Sequence, residues 1–445
     1  MKKFICCAAV AVFLATAALA QTISLTSPSN GATVTSPVTF SATANGGSHP
    51  VSAIWIYVDD QPAIKVRTTS LNSSLSLAAG SHKVVATMWN SVGQLASQLI
   101  HINVGSPAVS ASVSQYQTNF TATSTYLLKS TPTSVDGAIL FTPQQIMPYF
   151  SNIAAIGVTK DPNRMPQVVA WMNWYINHLN WPDKWGLYGT TYDYTVSNGV
   201  AIPTQNADST DSYAATFLTL AWDAWQSGDA NARSYIAGLS YQLDVIGGVI
   251  VQTQQSDGLT WAKPDWQIKY LMDNCEVYRG LRDLASLYQQ GFGDSAKAAW
   301  YNAAADRSLK GILGMWQNGK WAWYKDDAGR MPAPNLANWY PDASAQVFPM
   351  LMGVLSPSDS RSQQTYATFN AAWPGWPQLS FNSQDPFPWD LVAVAAAAMG
   401  DKTRVAAYIN TMQSKYVNSG FPWPFYSAEA GWFMRANSYM MGHGF

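Results

Sequence analysis

Residues 209–225 read STDSYAATFLTLAWDAW, a stretch of helical period that carries small and apolar side chains on every side. A helix that is apolar all round belongs inside a protein, because it has no polar face to turn towards water. Residues 230–253, which come next, carry a polar stripe instead and so predict a helix on the outside. The sequence therefore predicts a fold built from pairs of inner and outer helices.

The same alternation continues through most of the chain after residue 140. Inner helices are predicted over residues 142–156, 209–225, 273–289, 343–355, 388–399 and 429–441. Outer helices are predicted over residues 166–179, 230–253, 294–317, 358–373 and 402–417. Six inner helices ringed by outer ones form the all-α (α/α)6 toroid, and no alternation of strands and helices competes with it. An irregular helical bundle is the alternative.

Residues 21–105 follow a different pattern, rich in Ser, Thr, Val and Gly, with alternating apolar residues and frequent turn signals. Short strands are predicted over residues 38–42, 53–58, 74–77 and 82–86, which indicates an all-β sandwich. Trp55 occupies an alternating strand position, where we expect it to lie in the core. Residues 105–124 are rich in Ser, Ala and Thr and have little apolar pattern, so residues 106–138 are predicted to form a linker, or a loosely packed strap, before a toroid over residues 139–445.

Three short motifs in the N-terminal part resemble the bacterial Ig-like modules that are appended to exported enzymes. They are Pro28-Ser29-Asn30-Gly31, the strand with Trp55 before Val58-Asp59-Asp60, and Ala79-Gly80-Ser81-His82. The resemblance implies an Ig-like sandwich and no particular activity. Such a module could bind glycan, hold the next domain away from a surface, or stabilise it.

The first twenty residues have the pattern of an export signal. Lys2 and Lys3 precede an apolar stretch over residues 4–17, and Ala18-Leu19-Ala20 is a small-x-small cleavage site. No later run is long and apolar enough to suggest a membrane span. We expect a secreted or periplasmic protein in which Cys275 is the only remaining cysteine, so that stability depends on a sizeable core.

The composition suits a neutral ligand with flat faces. The net charge is −1 and only 11% of residues are charged, which argues against nucleic acid and gives no reason to expect a membrane partner. Aromatic residues reach 13%, including 20 Trp. Sugar rings stack on indole and phenol rings through their C–H faces, while their hydroxyls form hydrogen bonds with Asp and Asn. We therefore expect a polysaccharide or oligosaccharide ligand bound by a monomer.

Most predicted inner helices are preceded by a loop rich in aromatic residues, Pro and Gly. In a toroid these loops gather on one face, where they would line a cleft. The candidate substrate-binding residues are Tyr192, Tyr194, Tyr213, Trp261, Trp266, Trp339, Tyr340, Trp389, Trp423 and Trp432.

Acidic residues cluster at the same helix starts. They are Asp208 and Asp211, Asp273 and Glu276, Asp342, Asp385 and Asp390, and Glu429. Asp is a preferred N-cap, so helix capping explains any one of them without catalysis. The set is harder to explain by capping, because the spacing of the first two pairs places both carboxylates on one side of a helix start. Glu276 and Glu429 are also the only two Glu residues in the chain.

Residues 207–215, 270–281, 339–346 and 429–432 resemble the inner-helix starts of six-hairpin glycosidases. The resemblance implies glycoside hydrolysis by two carboxyl groups across a cleft, one donating a proton and the other activating water or attacking the sugar. We predict Asp211 and Glu276 as this pair. Asp208 and Asp273 are predicted to assist by capping, orienting or shifting protonation, with Asp193 and Glu429 as reserve candidates.

The expected function is thus a secreted glycoside hydrolase that cuts a neutral polysaccharide within the chain. The motifs His-Glu-x-x-His and Gly-x-Ser-x-Gly and a phosphate-binding Gly-rich loop are all missing from the sequence, so we predict no metal site and no cofactor. Two alternatives remain. A polysaccharide lyase acting on a uronate glycan would use a Tyr or His base and a cationic cleft. A non-catalytic glycan-binding protein would need no carboxylate pair.

Overall fold

The computed structural model describes residues 20–34, 37–75, 77, 80–93, 95–104, 109–129 and 135–444. The predicted export signal lies outside these residues except for Ala20. The described chain divides into two compact units, one up to residue 112 and the other from residue 113. Each unit has its own hydrophobic core.

The first unit is a sandwich of two β-sheets. Its eight strands are β1 (Thr22–Ser27), β2 (Thr33–Val34), β3 (Val38–Asn45), β4 (Val51–Val58), β5 (Gln61–Val66), β6 (Ser70–Leu75), β7 (Gly80–Asn90) and β8 (Leu95–Val104). One sheet has the order β1-β3-β6 and the other β2-β8-β7-β4-β5. All pairs are antiparallel except β2 with β8. The predicted Ig-like sandwich is confirmed.

The side chains of β4 alternate between the sandwich core and the opposite sheet face. Ile54 and Ile56 are fully buried in the core, whereas Trp55 and Tyr57 are only partly buried. Trp55 pairs with Lys65 on β5, whose ammonium group lies 4.5 Å from the centre of the indole ring. The expectation that Trp55 lies in the core is wrong, because the register of β4 turns the neighbouring isoleucines inwards instead.

The second unit is a closed ring of inner helices. Five of its inner elements are α2 (Pro148–Val158), α4 (Thr210–Gln226), α7 (Leu271–Leu287), α11 (Leu391–Ala398) and α13 (Ser427–Met440). The fourth in ring order includes α9 (Phe348–Leu351). Each element packs against the next, and α13 packs against α2 to close the ring. The predicted all-α toroid is confirmed.

The fourth inner element is not one continuous helix. It consists of a π-helical turn (Trp339–Ala343), a 3-10 turn (Ser344–Val347) and then α9. The prediction of a single helix over residues 343–355 is wrong. Pro349 lacks the N–H group that a continuing helix would use, and it lies in the first turn of a new helix that starts at Phe348.

Outer helices surround the inner ring. They are α1 (Val109–Lys129), α3 (Met165–Asn177), α5 (Ala230–Ala237) with α6 (Ser240–Thr253), α8 (Ser295–Leu313), α10 (Ser360–Ala372) and α12 (Lys402–Lys415). The helix predicted over residues 230–253 is bent by 71° between α5 and α6.

The predicted linker over residues 106–138 contains α1, which supplies a sixth outer helix. The Gln115 side chain donates a hydrogen bond of 2.9 Å to Asn410 on α12, and Gln167 on α3 donates one of 3.2 Å to the Leu127 carbonyl. Helix α1 therefore lies between α12 and α3. Its Ser- and Thr-rich sequence lacks the apolar period by which a helix is predicted. Within the helix these polar side chains have partners, as the Thr123 hydroxyl donates to the carbonyl four residues earlier.

Glycine allows the first and last inner helices to touch. A Cβ atom on Gly157 of α2 would lie 2.3 Å from the Gly431 carbonyl oxygen on α13, and one on Gly431 would lie 2.3 Å from the Ile153 oxygen. No larger residue fits either position without moving a backbone. The ring thus closes through direct backbone contact.

Short strands in the loops complete the second unit. They are β9 (Gln145–Ile146), β10 (Tyr194–Ser197), β11 (Val200–Pro203), β12 (Lys269–Tyr270), β13 (Trp316–Gln317), β14 (Lys320–Trp321) and β15 (Tyr324–Lys325). Within the described part of the chain, no single helix is both long and apolar enough to cross a bilayer; only the bent pair α5–α6 meets those measures when its helices are combined.

Candidate active site

A cavity of about 330 Å³ lies where the inner helices begin. All six inner elements, or the loops just before them, contribute to its wall. Four carboxyl side chains line it, those of Asp208, Asp273, Asp385 and Glu429. Aromatic rings form most of the remaining surface, and they are Phe141, Tyr149, Phe150, Tyr213, Tyr340, Phe348, Phe387, Trp389, Tyr426 and Trp432. Among the described residues that line the cavity, none is Lys, Arg or His.

Two of these carboxyl groups come from opposite sides of the ring. Asp273 is in the first turn of α7, the third inner element, and Glu429 is in the first turn of α13, the sixth. In a ring of six, the third and sixth members face each other. A ligand in the cavity would therefore have Asp273 on one side and Glu429 on the other.

Backbone N–H groups hold the Glu429 carboxylate. The N–H of Trp389 donates to Oε1 at 3.2 Å and that of Asp390 to Oε2 at 2.8 Å. Burial raises the pKa of Glu429 to about 7, although these two donors favour the charged form and act against the rise. Trp389 has a φ of 57°, so a left-handed backbone conformation at a non-glycine residue helps to point its N–H at the carboxylate.

Asp273 has an environment that favours its neutral form. Burial raises its pKa well above the usual range, and the charges of Asp211 and Asp208 raise it further. Asp390, beside Glu429 but behind the cavity wall, is fully buried, and burial together with the Glu429 charge raises its pKa in the same way. The cavity thus has on one side an acid whose neutral form is favoured, and on the other a carboxyl group whose charged form is stabilised by two backbone donors.

Asp211 and Glu276 lie beneath the cavity and do not line it. Asp211 is fully buried and accepts hydrogen bonds from the Thr260 hydroxyl at 2.5 Å and the Ser212 N–H at 2.8 Å. Glu276 accepts a hydrogen bond of 2.6 Å from the Tyr149 hydroxyl. Burial raises the pKa of Asp211 to about 7 and that of Glu276 to about 8. The two residues predicted as the acid and base therefore lie behind the cavity wall. From there the charge of Asp211 raises the pKa of Asp273.

Neither predicted helper caps a helix. Ser209 is the N-cap of α4 and Tyr270 that of α7, and neither start has a hydrogen bond from a capping side chain. The capping role suggested for Asp208 and Asp273 is wrong, because both side chains face the cavity instead. The charge of Asp273 raises the pKa of Glu276, and the wider predicted effect of Asp208 and Asp273 on the protonation of the pair stays a prediction.

The remaining predicted acids shape the surroundings of the cavity. Asp193 accepts a hydrogen bond of 2.8 Å from Tyr213, whose ring lines the cavity, and burial raises the Asp193 pKa to about 6. Asp342 accepts hydrogen bonds from the Asn335 N–H at 2.8 Å and the Asn338 side chain at 3.3 Å. Asp385 accepts one of 3.0 Å from the N–H of Phe387, another lining residue.

The ten aromatic residues that were predicted to bind substrate differ in whether they line the cavity. Four line the cavity, and they are Tyr213, Tyr340, Trp389 and Trp432. Trp423 contacts the lining residues Phe141 and Phe387 edge-on and is 61% exposed, so it lies at the rim. The others do not line the cavity, and they are Tyr192, Tyr194, Trp261, Trp266 and Trp339.

Each of those five aromatics has another environment. Trp339 is fully buried and stacks on Phe381 with ring centres 3.8 Å apart, so its predicted binding role is replaced by core packing. Tyr192 and Tyr194 are also buried. The indole N–H groups of Trp261 and Trp266 donate to Asp327 and to the Tyr270 hydroxyl respectively, which ties both rings to neighbouring loops.

Several cavity residues escaped sequence analysis. Tyr149 and Phe150 begin α2, and Phe348 begins α9, yet none lies in an aromatic-rich loop. Tyr426 lies at the end of the loop before the sixth inner helix and is not among the candidates from the sequence. A rule that selects the aromatic residues at the N-cap and in the first turn of every inner helix would find all four.

Comparison with known proteins supports the two-part fold. Residues 22–86 match a family model described as a bacterial Ig domain. An uncharacterized conserved protein from Thermus thermophilus is similar in structure, with a TM-score of 0.53 and 13% identity over 73% of this chain and 99% of that one.

Two further solved structures carry names. A GH63 mannosylglycerate hydrolase, also from Thermus thermophilus and in complex with glucose, has a TM-score of 0.51 and 12% identity over 72% of this chain and 99% of that one. A rhamnosidase from Klebsiella oxytoca with rhamnose bound has a TM-score of 0.50 and 11% identity over 93% of this chain and 89% of that one. This chain shares their fold. At such low identity the likeness concerns the fold alone, and no curated protein matches the sequence.

The described residues contain no group of three or more His, Cys, Asp or Glu side chains arranged to hold a metal ion. The four carboxyl groups of the cavity wall are spread over different inner elements. The side chains that line the cavity offer mainly carboxyl groups and aromatic rings.

Proposed function

We propose that this protein is a glycoside hydrolase that acts on a neutral polysaccharide. One observation carries the proposal: Asp273 and Glu429 face each other across a cavity whose other walls are mainly aromatic. Two carboxyl groups on either side of a bond are what glycoside hydrolysis requires, and aromatic faces suit sugar rings. The resemblance in fold to a mannosylglycerate hydrolase and a rhamnosidase supports the same reaction class.

Asp273 is proposed as the general acid. Burial and the neighbouring acids Asp208 and Asp211 keep its proton in place near neutral pH. During cleavage it would pass this proton to the glycosidic oxygen, and the leaving sugar would depart as an alcohol. Asp211 would assist from beneath, because its negative charge makes ionisation of the Asp273 carboxyl group less favourable.

Glu429 is proposed as the carboxylate that activates water or attacks the sugar carbon. Its two backbone N–H donors stabilise the ionised form and fix the orientation of the carboxylate. Because its pKa is raised to about 7, activity should increase as the pH rises through this value. Activity should decrease again at the higher pH at which Asp273 loses its proton.

The charges of the cavity favour a substrate without carboxylates. Four acids and no cation among the described lining residues would repel a uronate chain. Lyase chemistry also needs a base, and burial raises the pKa values of Tyr149, Tyr213 and Tyr426 well above their usual range, so their phenolate forms are disfavoured. Hydrolysis of a neutral glycan is therefore the proposal that the site supports best.

Cleavage within a long chain is part of the proposal. Trp423 extends the aromatic surface beyond the cavity and exposes most of its ring at the rim. A longer glycan could thus stay in contact with the protein outside the cavity. The export pattern in residues 1–20 supports an activity outside the cytoplasm, where polysaccharides are met.

The test is a screen of the purified protein on neutral and uronate polysaccharides. Reducing ends are measured together with absorbance from new double bonds, and viscosity is followed to separate mid-chain from terminal cleavage. We expect new reducing ends on a neutral glycan, no new double bonds and an early fall in viscosity. Glu429→Gln and Asp273→Asn should each lower kcat by about 10²- to 10⁴-fold.

Asp306→Asn is the matched control, since Asp306 is a solvent-exposed acid on outer helix α8 and should keep full activity. New double bonds on a uronate glycan would replace the proposal with a lyase. Binding without cleavage on every substrate would identify a glycan-binding protein. Full activity in Glu429→Gln would overturn the assignment of that residue.

A further inference from the structure

Three exposed aromatic rings form a second surface that is separate from the cavity. Trp181, Tyr188 and Tyr241 are 48%, 50% and 66% exposed, and none of them lines the cavity. The Trp181 and Tyr241 rings are nearly parallel, at 7°, with centres 6.3 Å apart. The Tyr188 ring is inclined at 62° to that of Trp181, at 6.4 Å. We call these three residues the outer aromatic cluster.

The loop that carries two of these rings is held in a fixed shape. The buried Asp183 carboxylate accepts hydrogen bonds from the N–H groups of Trp185 and Leu187 at 2.8 and 2.9 Å, and from the Thr190 hydroxyl at 2.7 Å. Backbone bonds between Asn180 and residues 189–190 close the base of the loop. Trp181 and Tyr188 are thus presented without a large entropy cost when a ligand binds.

The loop also rests directly on helix α6, which carries Tyr241. A Cβ atom on Gly189 would lie 2.7 Å from the Val245 side chain, so glycine is needed for this close approach. Residues 192 and 194, further along the same segment, turn their tyrosine rings into the protein. Core packing accounts for those two rings but leaves Trp181 and Tyr188 in solvent.

We propose that the outer aromatic cluster binds a stretch of a neutral polysaccharide. Two parallel rings and a third inclined one offer flat faces to successive sugar rings. The exposed ring area is on the order of a few hundred Å², which is below the roughly 800 Å² per partner of a stable protein interface. In the described structure no cation lies over any of the three rings, whereas Lys184 lies over the neighbouring Trp185. No cationic side chain of the described residues therefore covers the ring faces of the cluster.

The choice of a neutral polysaccharide as ligand rests on the proposed function. Binding at the cluster nevertheless has an effect that can be measured separately from catalysis. A polysaccharide held here would stay close to the enzyme while a different part of the same chain enters the cavity. Such a site raises the effective concentration of a polymer and does nothing for a short fragment. Binding to polymer and cleavage of oligosaccharides should therefore respond differently to changes at this surface.

The test uses the full-length protein with Glu429→Gln as the background, so that substrate is not consumed. Binding to insoluble β-glucan, mannan, xylan and chitin is measured by depletion from solution. In this background, Trp181→Ala and Tyr241→Ala should weaken binding to the polymer that is bound best by at least about tenfold. Trp300→Ala is the matched control, because Trp300 on α8 is 49% exposed and lies outside the cluster.

Hydrolysis of a short soluble oligosaccharide by Trp181→Ala, with Glu429 intact, completes the test and should be unchanged. Equal binding by the Trp181→Ala and Trp300→Ala proteins would overturn the proposal, as would no binding to any of the four polymers. Loss of polymer binding in Trp181→Ala, in a protein that cleaves nothing, would keep this site and reject the proposed hydrolase. Unchanged thermal unfolding of the variants shows that the fold is intact.

Discussion

Outer and inner helices both begin with acidic residues, but the acids do opposite things. At the starts of α5, α8, α10 and α12, an Asp side chain accepts a backbone N–H of the first turn, and these residues are Asp229, Asp294, Asp359 and Asp401. At the starts of α4, α7 and α13, no side chain makes a capping hydrogen bond. The acids there line the cavity or lie beneath it.

The pKa values follow the same division. Hydrogen bonds from Arg361 lower the pKa of Asp359 to about 2, and contacts with Arg404 lower that of Asp401. Burial raises the pKa values of Asp211, Glu276 and Glu429 instead. Near the starts of the outer helices, partners thus stabilise the charged form of Asp359 and Asp401, whereas near the starts of the inner helices burial favours the neutral form and, at Glu429, is opposed by two backbone N–H donors. Whether its carboxyl group is buried thus distinguishes an acid that caps a helix from one that is a candidate catalytic residue.

The largest expected effect on kcat is a difference between substitution of an acid that lines the cavity and substitution of an acid beneath it. Asp273→Asn should lower kcat by about 10²- to 10⁴-fold, because the general acid itself is lost. Asp211→Asn should cost less, because it removes only a charge that supports the Asp273 proton. Its main effect should be to move the alkaline limb of the pH–rate profile to lower pH, as measured by kcat at a series of pH values.

The opposite ranking would restore the assignment that the sequence suggests. If Asp211→Asn were the more damaging change and Asp273→Asn kept most of the activity, Asp211 would have to reach the substrate. Thr260→Val is a useful comparison for this result. The substitution removes a hydrogen bond to Asp211 and leaves the carboxyl groups of Asp211 and Asp273 in place.

A smaller effect concerns stability and pH. Burial in the folded protein raises the pKa of Asp211 to about 7 and that of Glu276 to about 8, whereas in the unfolded chain both acids should ionise near pH 4. The unfolding free energy should therefore fall as the pH rises from about 5 to 8, by an amount on the order of a few kcal/mol. Thermal unfolding of Glu276→Gln across this range should show a shallower fall.

Asp359 provides the contrasting control for this experiment. Its lowered pKa contributes stability above about pH 4 that is lost as the pH falls towards 2. Asp359→Asn should therefore leave the slope between pH 5 and 8 unchanged and affect only the acid range. A wild-type protein with constant stability from pH 5 to 8 would show that the inner acids are ionised.

The smallest effect belongs to the outer caps. Asp294→Ala removes the acceptor for the Lys297 N–H, at 2.9 Å, and should cost about 1 kcal/mol of unfolding free energy. Activity should remain at the wild-type level, since α8 starts away from the cavity. A fall in kcat without a fall in melting temperature would contradict the view that the outer acids stabilise the fold and take no part in catalysis.

Much of the fold was predictable because burial follows helical period. Residues 209–225 are apolar on every side and form the inner helix α4 as predicted. The prediction failed where a local feature competes with the period: Pro349 divides the fourth inner element, and the Ser- and Thr-rich α1 hides its helix from a pattern based on apolar side chains.

The candidate site was less predictable, because period does not tell which of two acids on one helix face reaches a cavity. Asp273 and Glu276 are three residues apart on α7, and only the first lines the cavity. Trp339 and Tyr340 are adjacent in an aromatic loop, yet one is in the core and the other is in the cavity wall. Such differences depend on the depth of each position within the ring, which requires the three-dimensional structure.

The glycine contact between α2 and α13 also bears on how the molecule is made. Residues 157 and 431 belong to the first and last inner helices, so the ring closes by one of the longest-range contacts in the unit. Contacts of this kind form late, because a long loop must be closed before they can form. A growing chain has Asp273 long before it has Glu429, and until α13 emerges one side of α2 stays open and apolar. The cavity is therefore complete only when α13, which supplies Glu429 and Trp432 to its wall, has closed the ring.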